Sequence, residues 1–143
     1  MILSKTCDYA VRAALYISTQ QERTYVPIRE MSEKLEISFH FLTKILQTLT
    51  QNNIMISFKG PNGGLALARA ADSIKIIEII EAIDGSKLFQ ECLLGLNKCD
   101  DHNPCPLHNH WAEIREQIRV LFAETSLASL ADKVNKGGFR LTN

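Results

Sequence analysis

The sequence predicts a mainly α protein with a small β-hairpin, in which a winged helix-turn-helix precedes a long C-terminal dimerisation helix. Two short helical patterns stand on either side of a brief break at residues 36–37. Two β-like runs follow, separated by a Pro-Asn-Gly-Gly cluster, and a long apolar stripe begins after Pro106. A helix-turn-helix followed directly by a hairpin is the outline of a winged helix.

Length and composition are those of one ordinary domain. The 143 residues suffice for a single sizeable core, and 45% of them are hydrophobic. No apolar run approaches the roughly 18 residues that span a bilayer. Lys5, Asp8 and Arg12 interrupt the first apolar stretch, which is not typical of a secretion signal. We therefore expect a cytoplasmic protein with no membrane partner, in a compartment where structural disulfides are disfavoured.

The first two helices are indicated by apolar spacing and by their start signals. Ser4 is a suitable N-cap, so the first helix is predicted over residues 5–20. Pro27 begins a short second helix that carries Met31 and Leu35 on one face. The apolar positions of the first helix are Cys7, Ala10, Val11, Ala14 and Ile17.

The third helix has one apolar face and one polar face. Ser38 is its predicted N-cap. Short or flexible polar side chains on the second face suit hydrogen bonds to base edges and phosphates, although a plain solvated face would look similar. The apolar face is Phe41, Leu42, Ile45, Leu46 and Leu49, and the polar face is His40, Thr43, Lys44, Gln47 and Thr48.

The predicted hairpin joins residues 54–58 to residues 65–68. Lys59 places a positive charge at its narrow, glycine-rich tip, where it can reach a phosphate or the minor groove. Net charge is zero, but residues 1–72 carry eight Lys or Arg against six Asp or Glu. We predict that double-stranded DNA is the partner and that it contacts Lys5, Ser38, His40, Thr43, Lys44, Gln47, Thr48, Lys59, Gly60 and Asn62.

The second half of the chain adds helices that the winged helix does not need. A fourth helix is predicted from a cap at Asp72 or Ser73 to Gly85. After an aperiodic loop, a long helix begins beyond Pro106 and breaks near residues 125–126. Little surface of the winged helix remains for this long helix to pack on. Pairing with a second copy of the chain would bury its apolar stripe. A two-fold dimer would also match a palindromic operator. That stripe is Trp111, Ile114, Ile118 and Leu121.

Four segments follow from these patterns. Residues 1–84 form the winged-helix DNA-binding domain, and residues 85–105 form a cysteine-rich loop. Residues 106–134 form the dimerisation helix and a short terminal helix, and residues 135–143 form a flexible tail.

Three of the four cysteines lie in the loop, with the spacing C-x6-C-x5-C: Cys92, Cys99 and Cys105. A disulfide leaves one thiol over and suits the cytoplasm poorly. A catalytic cysteine would need an oxyanion hole or a substrate-binding motif. The sequence contains neither, so an enzyme is not expected. Structural zinc usually uses tighter cysteine knuckles. A loop that wraps a larger inorganic unit tolerates gaps of five or six residues between its cysteines. Thiolates are the ligands of iron–sulfur clusters.

Three motifs together resemble the Rrf2 family of winged-helix transcription regulators, typified by IscR and NsrR, over residues 1–134. The resemblance implies a homodimer with crossed C-terminal helices whose DNA affinity is often tuned by an iron–sulfur cluster. It also places Ser38, His40, Thr43, Lys44 and Gln47 on the base-reading helix and Lys59 at the wing. The motifs are Tyr9-Ala10-Val11-Arg12-Ala13, Phe41-Leu42-x-x-Ile45-Leu46 and Lys59-Gly60-Pro61-x-Gly63-Gly64.

Two residues of this sequence depart from the family pattern. Many members carry arginine where Lys59 stands and an aromatic residue where Leu65 stands. Because lysine is a point charge rather than a planar fork, phosphate contact is favoured over minor-groove insertion at the wing.

The fourth cluster ligand has two candidates. His108 follows Cys105 at C-x2-H spacing, within reach of one helical turn, and this resembles the family's 2Fe–2S biogenesis regulator. Asp8 of the partner subunit is the rival, since the nitric-oxide-sensing branch completes a 4Fe–4S cluster with a carboxylate there. The alternatives are a helix-dipole role for Asp8 and a surface position for His108. Cys7 is expected to be a buried thiol, and His102 and His110 to be solvated.

The sequence thus predicts a homodimeric DNA-binding transcriptional regulator, a repressor, whose operator affinity responds to an iron–sulfur cluster. Nitric oxide, redox state and iron–sulfur supply are the candidate signals. A cluster-free regulator that uses its thiols for oxidant sensing or zinc is the alternative, and a cysteine-dependent redox enzyme is a more distant one.

Overall fold

The structure is a computed structural model that describes residues 2–143, and it has the mainly helical architecture with a single antiparallel hairpin that the sequence predicts. A short 3₁₀ turn, Ala71–Ser73, precedes the fourth helix. In chain order the elements are α1 (Lys5–Thr19), α2 (Ile28–Leu35), α3 (Phe39–Gln51), β1 (Met55–Phe58), β2 (Gly64–Leu67), α4 (Ile76–Asp84), α5 (Lys87–Gln90), α6 (His108–Glu124) and α7 (Leu127–Asn135).

The helix-turn-helix forms where the sequence predicts it. The Ser4 side chain accepts a hydrogen bond from the Cys7 backbone N–H at 3.0 Å, which satisfies a free donor in the first turn of α1. Pro27 precedes α2, and Glu36 ends it in the left-handed conformation with φ of 56°. That sharp turn directs α3 across α2. Their shared core includes Met31, Leu35, Leu42, Ile45, Leu46 and Leu49.

A glycine allows the hairpin to lie close to the segment before α2. Met55 pairs with Leu67 and Phe58 with Gly64, while the Val26 N–H donates to the Leu65 carbonyl oxygen at 2.9 Å. A β-carbon on Gly64 would collide with the Val26 carbonyl oxygen. Only glycine permits this close approach of two backbones.

Gly64→Ala should therefore destabilise the fold by about 1–3 kcal/mol, because the added methyl group forces the wing away from Val26. Urea unfolding followed by circular dichroism measures the change. Asn62→Ala alters only the exposed hairpin tip and should stay within about 0.5 kcal/mol of the parent. Equal stability of Gly64→Ala and the parent would contradict the close contact.

The predicted cap of α4 is wrong. Asp72 and Ser73 lie in the 3₁₀ turn, and α4 begins later, at Ile76. Tertiary hydrogen bonds delay the start: the Ile76 N–H donates to the Thr125 carbonyl and the Leu127 N–H to the Ile74 carbonyl, both at 2.9 Å. Residues 74–76 are thereby held extended against the α6–α7 junction. The Lys75 N–H, 2.8 Å from a carboxylate oxygen of Glu78, completes the cap.

The terminal helix α7 packs back onto the winged-helix head. Leu127 and Ala131 are fully buried, and Leu127 belongs to the same core as the buried residues of α1. The break predicted near residues 125–126 is present, and it is what reverses the chain. Residues 136–143 contain no helix or strand, yet Arg12 donates to the Leu141 carbonyl at 3.4 Å. The flexibility of the tail stays a prediction.

None of the helices formed by residues 2–143 combines the length and the apolar character needed to span a bilayer.

Candidate functional site

The polar face of α3 lies on the surface, opposite the core. Leu42, Ile45, Leu46 and Leu49 are buried, as the apolar spacing predicts. The residues on the other face are exposed or half-buried, and they form one continuous polar strip: His40, Thr43, Lys44, Gln47 and Thr48.

The hydroxyl groups of this strip are oriented by the helix itself. Thr43 donates to the Phe39 carbonyl at 2.8 Å, and Thr48 donates to the Lys44 carbonyl at 3.3 Å. Their hydroxyl hydrogens are therefore engaged, while the methyl groups and the oxygen lone pairs remain for a ligand. A threonine methyl group is suited to contact with the methyl group of thymine.

Phe41 does not belong to the core stripe, contrary to the sequence prediction. Its side chain is 38% exposed and packs edge-on against Tyr9, with ring centroids 5.7 Å apart. The reason is that Phe41 lies in the first turn of α3, where the neighbouring surface is the start of α1. The Lys5 ammonium and the Arg12 guanidinium lie 5.8 and 5.0 Å from the Tyr9 ring centroid. Two positive charges thus stand beside the beginning of α3.

The wing tip and the start of α3 present further groups to solvent. Lys59, Gly60 and Asn62 are exposed, and the tip is closed by a hydrogen bond from the Gly63 N–H to the Gly60 carbonyl at 3.0 Å. Ser38 is also exposed, at the N-cap position of α3.

Arg29 is a candidate contact that sequence reasoning missed. It is exposed on α2, and its guanidinium lies 5.5 Å from the centroid of the Phe39 ring. It therefore adds a positive charge beside the first turn of α3. The sequence did contain a signal for this contact. Arg29 is a basic residue near the beginning of the first helix of the helix-turn-helix, and that helix crosses the DNA backbone.

The cysteine-rich loop and the first residue of α6 bring four donor side chains together as two pairs. The Cys92 and Cys105 sulfur atoms are 3.6 Å apart, and Cys99 Sγ lies 3.4 Å from His108 Nδ1. His108 Nε2 is in turn 2.7 Å from Asp101 Oδ1. His108 is only 5% exposed, so the alternative of a surface histidine is wrong. Across residues 2–143, the pairs do not merge into one cluster of three or more His, Cys, Asp or Glu groups suited to a single ion.

Contacts from α6 hold the loop. The Trp111 indole N–H donates to the Glu91 carbonyl at 2.9 Å, and Arg115 donates to the same oxygen at 3.3 Å. At the other end, the His108 N–H donates to the Cys105 carbonyl at 3.0 Å. The position of Cys92 and of Cys105 is thus coupled to the N-terminal half of α6.

The chain's thiols have contrasting electrostatic surroundings. Hydrogen bonds from the backbone N–H of Leu96, together with lesser ones from its neighbours, lower the pKa of Cys92 in spite of its burial. Burial, reinforced by the nearby Asp84 carboxylate, raises the pKa of Cys7 to about 12. The first environment favours a thiolate ligand, and the second favours an inert thiol.

The donor set fits an iron–sulfur cluster. Two thiolates on one tetrahedral metal ion with bonds of about 2.3 Å stand about 3.8 Å apart, close to the observed Cys92–Cys105 distance. Cys99 and His108 form a second pair of donors, 3.4 Å apart. Asp8, by contrast, lies in α1 and faces Arg12, whose Nε is 3.6 Å from its carboxylate oxygen.

Comparison with known proteins identifies the relatives of this chain. The family model Rrf2, described as an iron-dependent transcriptional regulator, matches residues 3–133. The chain belongs to the Rrf2 family. It is 35% identical over 132 residues to an HTH-type transcriptional regulator of Aquifex aeolicus, with 91% of each chain covered. It is 31% identical to the HTH-type transcriptional regulator IscR of Erwinia tasmaniensis, covering 92% of this chain and 79% of the relative.

Solved structures show the same fold. CymR, the global cysteine regulator of B. subtilis, superposes with a TM-score of 0.78 at 21% identity, over 91% of this chain and 95% of CymR. IscR of T. potens superposes with a TM-score of 0.77 at 20% identity, over 96% and 91%. The predictions of an Rrf2-family winged helix and of a regulator rather than an enzyme are confirmed. This Rrf2 protein is a DNA-binding transcriptional regulator.

The predicted dimerisation stripe of the Rrf2 protein is largely uncovered. Ile114 and Leu121 are 50% and 60% exposed, while Trp111 and Ile118 are half-buried. Trp111 has a second role within its own chain, through its bond to Glu91. An open groove beside the stripe is lined by the apolar side chains of Ile2, Leu88 and Leu93. Adjoining apolar surfaces of this kind are typical of protein interfaces.

Proposed function

We propose that this Rrf2 regulator is a homodimeric repressor whose affinity for a palindromic operator is set by an iron–sulfur cluster. The ligands are Cys92, Cys99, Cys105 and His108, and the cluster is of the 2Fe–2S type. The observation that carries the proposal is the arrangement of these four donors in two pairs, at 3.6 and 3.4 Å, beside the first turn of α6.

The fourth ligand is assigned to His108 rather than Asp8 on the basis of burial and orientation. The His108 ring is buried and already faces Cys99 through Nδ1. Asp8 is half-exposed and neutralised by Arg12. The proposal that Asp8 of the partner subunit completes a 4Fe–4S cluster therefore becomes the competing outcome of the experiment below.

Regulation is proposed to act through the loop. When bound, the cluster supplies a redox-active centre that reacts with nitric oxide or oxygen. The chain itself holds residues 92–107 against α6. At the start of this segment, the Glu91 carbonyl accepts hydrogen bonds from Trp111 and Arg115 of α6. Release of the thiolates frees this segment, and a small shift of α6 changes the separation of the two recognition helices. Simultaneous docking in two major grooves tolerates little error in that separation.

Anaerobic purification with iron and acid-labile sulfide counts tests the cluster, and selection of genomic DNA fragments tests the operator. We expect about two irons and two sulfides per chain for the 2Fe–2S assignment, together with recovery of a palindrome. His108→Ala should lower loading, and Asp8→Ala should not. The reverse pattern would favour the Asp8 site, and a sample without iron and sulfide would exclude the cluster.

A cluster-free regulator of the same fold is the second candidate. The proximity of Cys92 and Cys105 favours it, since two thiols 3.6 Å apart can also bind zinc or respond to an oxidant. Elemental analysis together with the visible absorption spectrum separates the two candidates.

Lys59→Ala should weaken operator binding and reduce the slope of log affinity against log salt by about 1.8, since the proposed dimer loses one phosphate contact from each of its two wings. Binding titrations at several salt concentrations measure both quantities. Lys136→Ala is the matched control, because Lys136 lies beyond α7 and is paired with Asp132 at 2.9 Å. An unchanged slope for Lys59→Ala would remove the wing from the DNA-binding surface.

A further inference from the structure

Asp101 is the residue of the cysteine-rich loop whose role remains to be explained. Its Oδ1 lies 2.7 Å from His108 Nε2, while the other ring nitrogen, Nδ1, faces Cys99 Sγ at 3.4 Å. The histidine is buried, but the Asp101 side chain is 91% exposed. A solvated carboxylate thus reaches inward to one nitrogen of a buried ring.

This contact determines which nitrogen carries the hydrogen. A carboxylate only accepts, so His108 Nε2 is the donor and carries the hydrogen. In the neutral ring, Nδ1 then holds a lone pair directed at Cys99. A metal-binding imidazole needs its lone pair on the metal side and a hydrogen-bond acceptor on the other side. The described geometry has that arrangement.

We propose that Asp101 is a positioning residue that orients His108 and raises its electron donation, so that Nδ1 serves as the nitrogen ligand. The inference rests on the cluster proposed above and adds a residue that touches no metal. Two consequences follow. Loss of the hydrogen bond frees the ring to rotate and weakens retention of the cluster. Loss of the negative charge alone weakens electron donation from His108 to iron. The reduction potential of the cluster then becomes more positive.

Three variants separate these effects. Asp101→Ala removes the acceptor, and Asp101→Asn retains an acceptor oxygen but removes the charge. Asp100→Asn is the matched control, because Asp100 is the adjacent carboxylate and accepts from the backbone N–H of His102 at 2.9 Å. Far-UV circular dichroism checks that each variant is folded.

The measurements are iron and sulfide content, the rate of iron release to a chelator, the reduction potential and the nitrogen coupling in the electron paramagnetic resonance of the reduced cluster. Asp101→Ala should release iron about 10-fold faster or more. Asp101→Asn should load like the parent, keep the nitrogen coupling and shift to a more positive potential. Asp100→Asn should match the parent in all four.

The outcomes distinguish this inference from the function on which it rests. A parent protein without iron and sulfide overturns both. A loaded parent whose release rate and potential are unchanged in both Asp101 variants overturns the role of Asp101 alone. A loaded parent without nitrogen coupling also overturns it, because His108 is then not a ligand.

Discussion

Replacing Ile114 and Leu121 together with aspartate is expected to abolish the proposed homodimer and to weaken binding to the proposed palindromic operator by at least about 10³-fold. The two side chains are the most exposed apolar positions of the α6 stripe. Charged groups at these positions would have to be buried against a second copy without partners, at a large cost in free energy. A monomer can dock only one recognition helix and therefore loses most of its specificity.

Sedimentation velocity and an operator titration measure the two effects. The matched control is Asn109→Asp, which introduces one such charge at an exposed polar position on another face of α6. This control should remain dimeric and bind as the parent does. If the Ile114/Leu121 double variant sediments as a dimer, α6 is not the dimerisation helix.

Cys92→Ala is expected to abolish the response of operator affinity to nitric oxide. Couplings between effector and ligand sites commonly change affinity by about 5–150-fold, and we expect the parent's response to lie in this range. Removing Cys92 breaks the thiol pair with Cys105. It thereby removes the proposed link between the cluster and the neighbouring Glu91, whose carbonyl accepts from Trp111 of α6. The measurement is an anaerobic DNA titration with and without a nitric-oxide donor.

Cys7→Ala is the control for this experiment. Cys7 is fully buried in α1, away from solvent, and its raised pKa favours the unreactive thiol. Its removal should cost some stability and leave both cluster content and the nitric-oxide response intact. A Cys92→Ala protein that responds like the parent would contradict regulation through the loop.

The structure contains a direct connection between the start of α1 and the end of α4, where the cysteine-rich loop begins. The Ser4 N–H donates to an Asp84 carboxylate oxygen at 2.9 Å, and the Ser4 hydroxyl contacts the other oxygen. Ser4 caps α1, which carries Lys5 and Tyr9 beside α3, and Asp84 ends α4 directly before the cysteine-rich segment. Under the regulation proposed above, a shift of that segment would reach the first turn of α1 through this polar contact.

Local patterns predicted most of the elements. The apolar spacing of α1, α3 and α6 and the caps at Ser4 and Pro27 depend only on residues within one or two turns. The hairpin was equally clear, since Gly60 and Gly63 meet requirements of the local backbone at its tip, whereas the need for Gly64 comes from the distant Val26. These features succeed because helix periodicity and turn chemistry are written in contiguous residues.

The errors lie where distant segments meet. The start of α4 is decided by hydrogen bonds to residues 125 and 127, and the exposure of Phe41 by the presence of Tyr9. Neither partner is near in sequence, so neither could be anticipated from spacing. The return of α7 to the α1 core was not predicted in either direction, since a short amphipathic helix does not indicate which surface buries it.

Residue identity and short-range periodicity are sufficient to specify the winged helix, the polar face of α3 and the donor types of the loop. The tertiary structure alone decided that His108 is buried between Asp101 and Cys99 and that Cys92 approaches Cys105. The physical reason is that an aperiodic loop carries no repeating signal, so the contacts among its side chains depend on the path that the folded chain imposes on it.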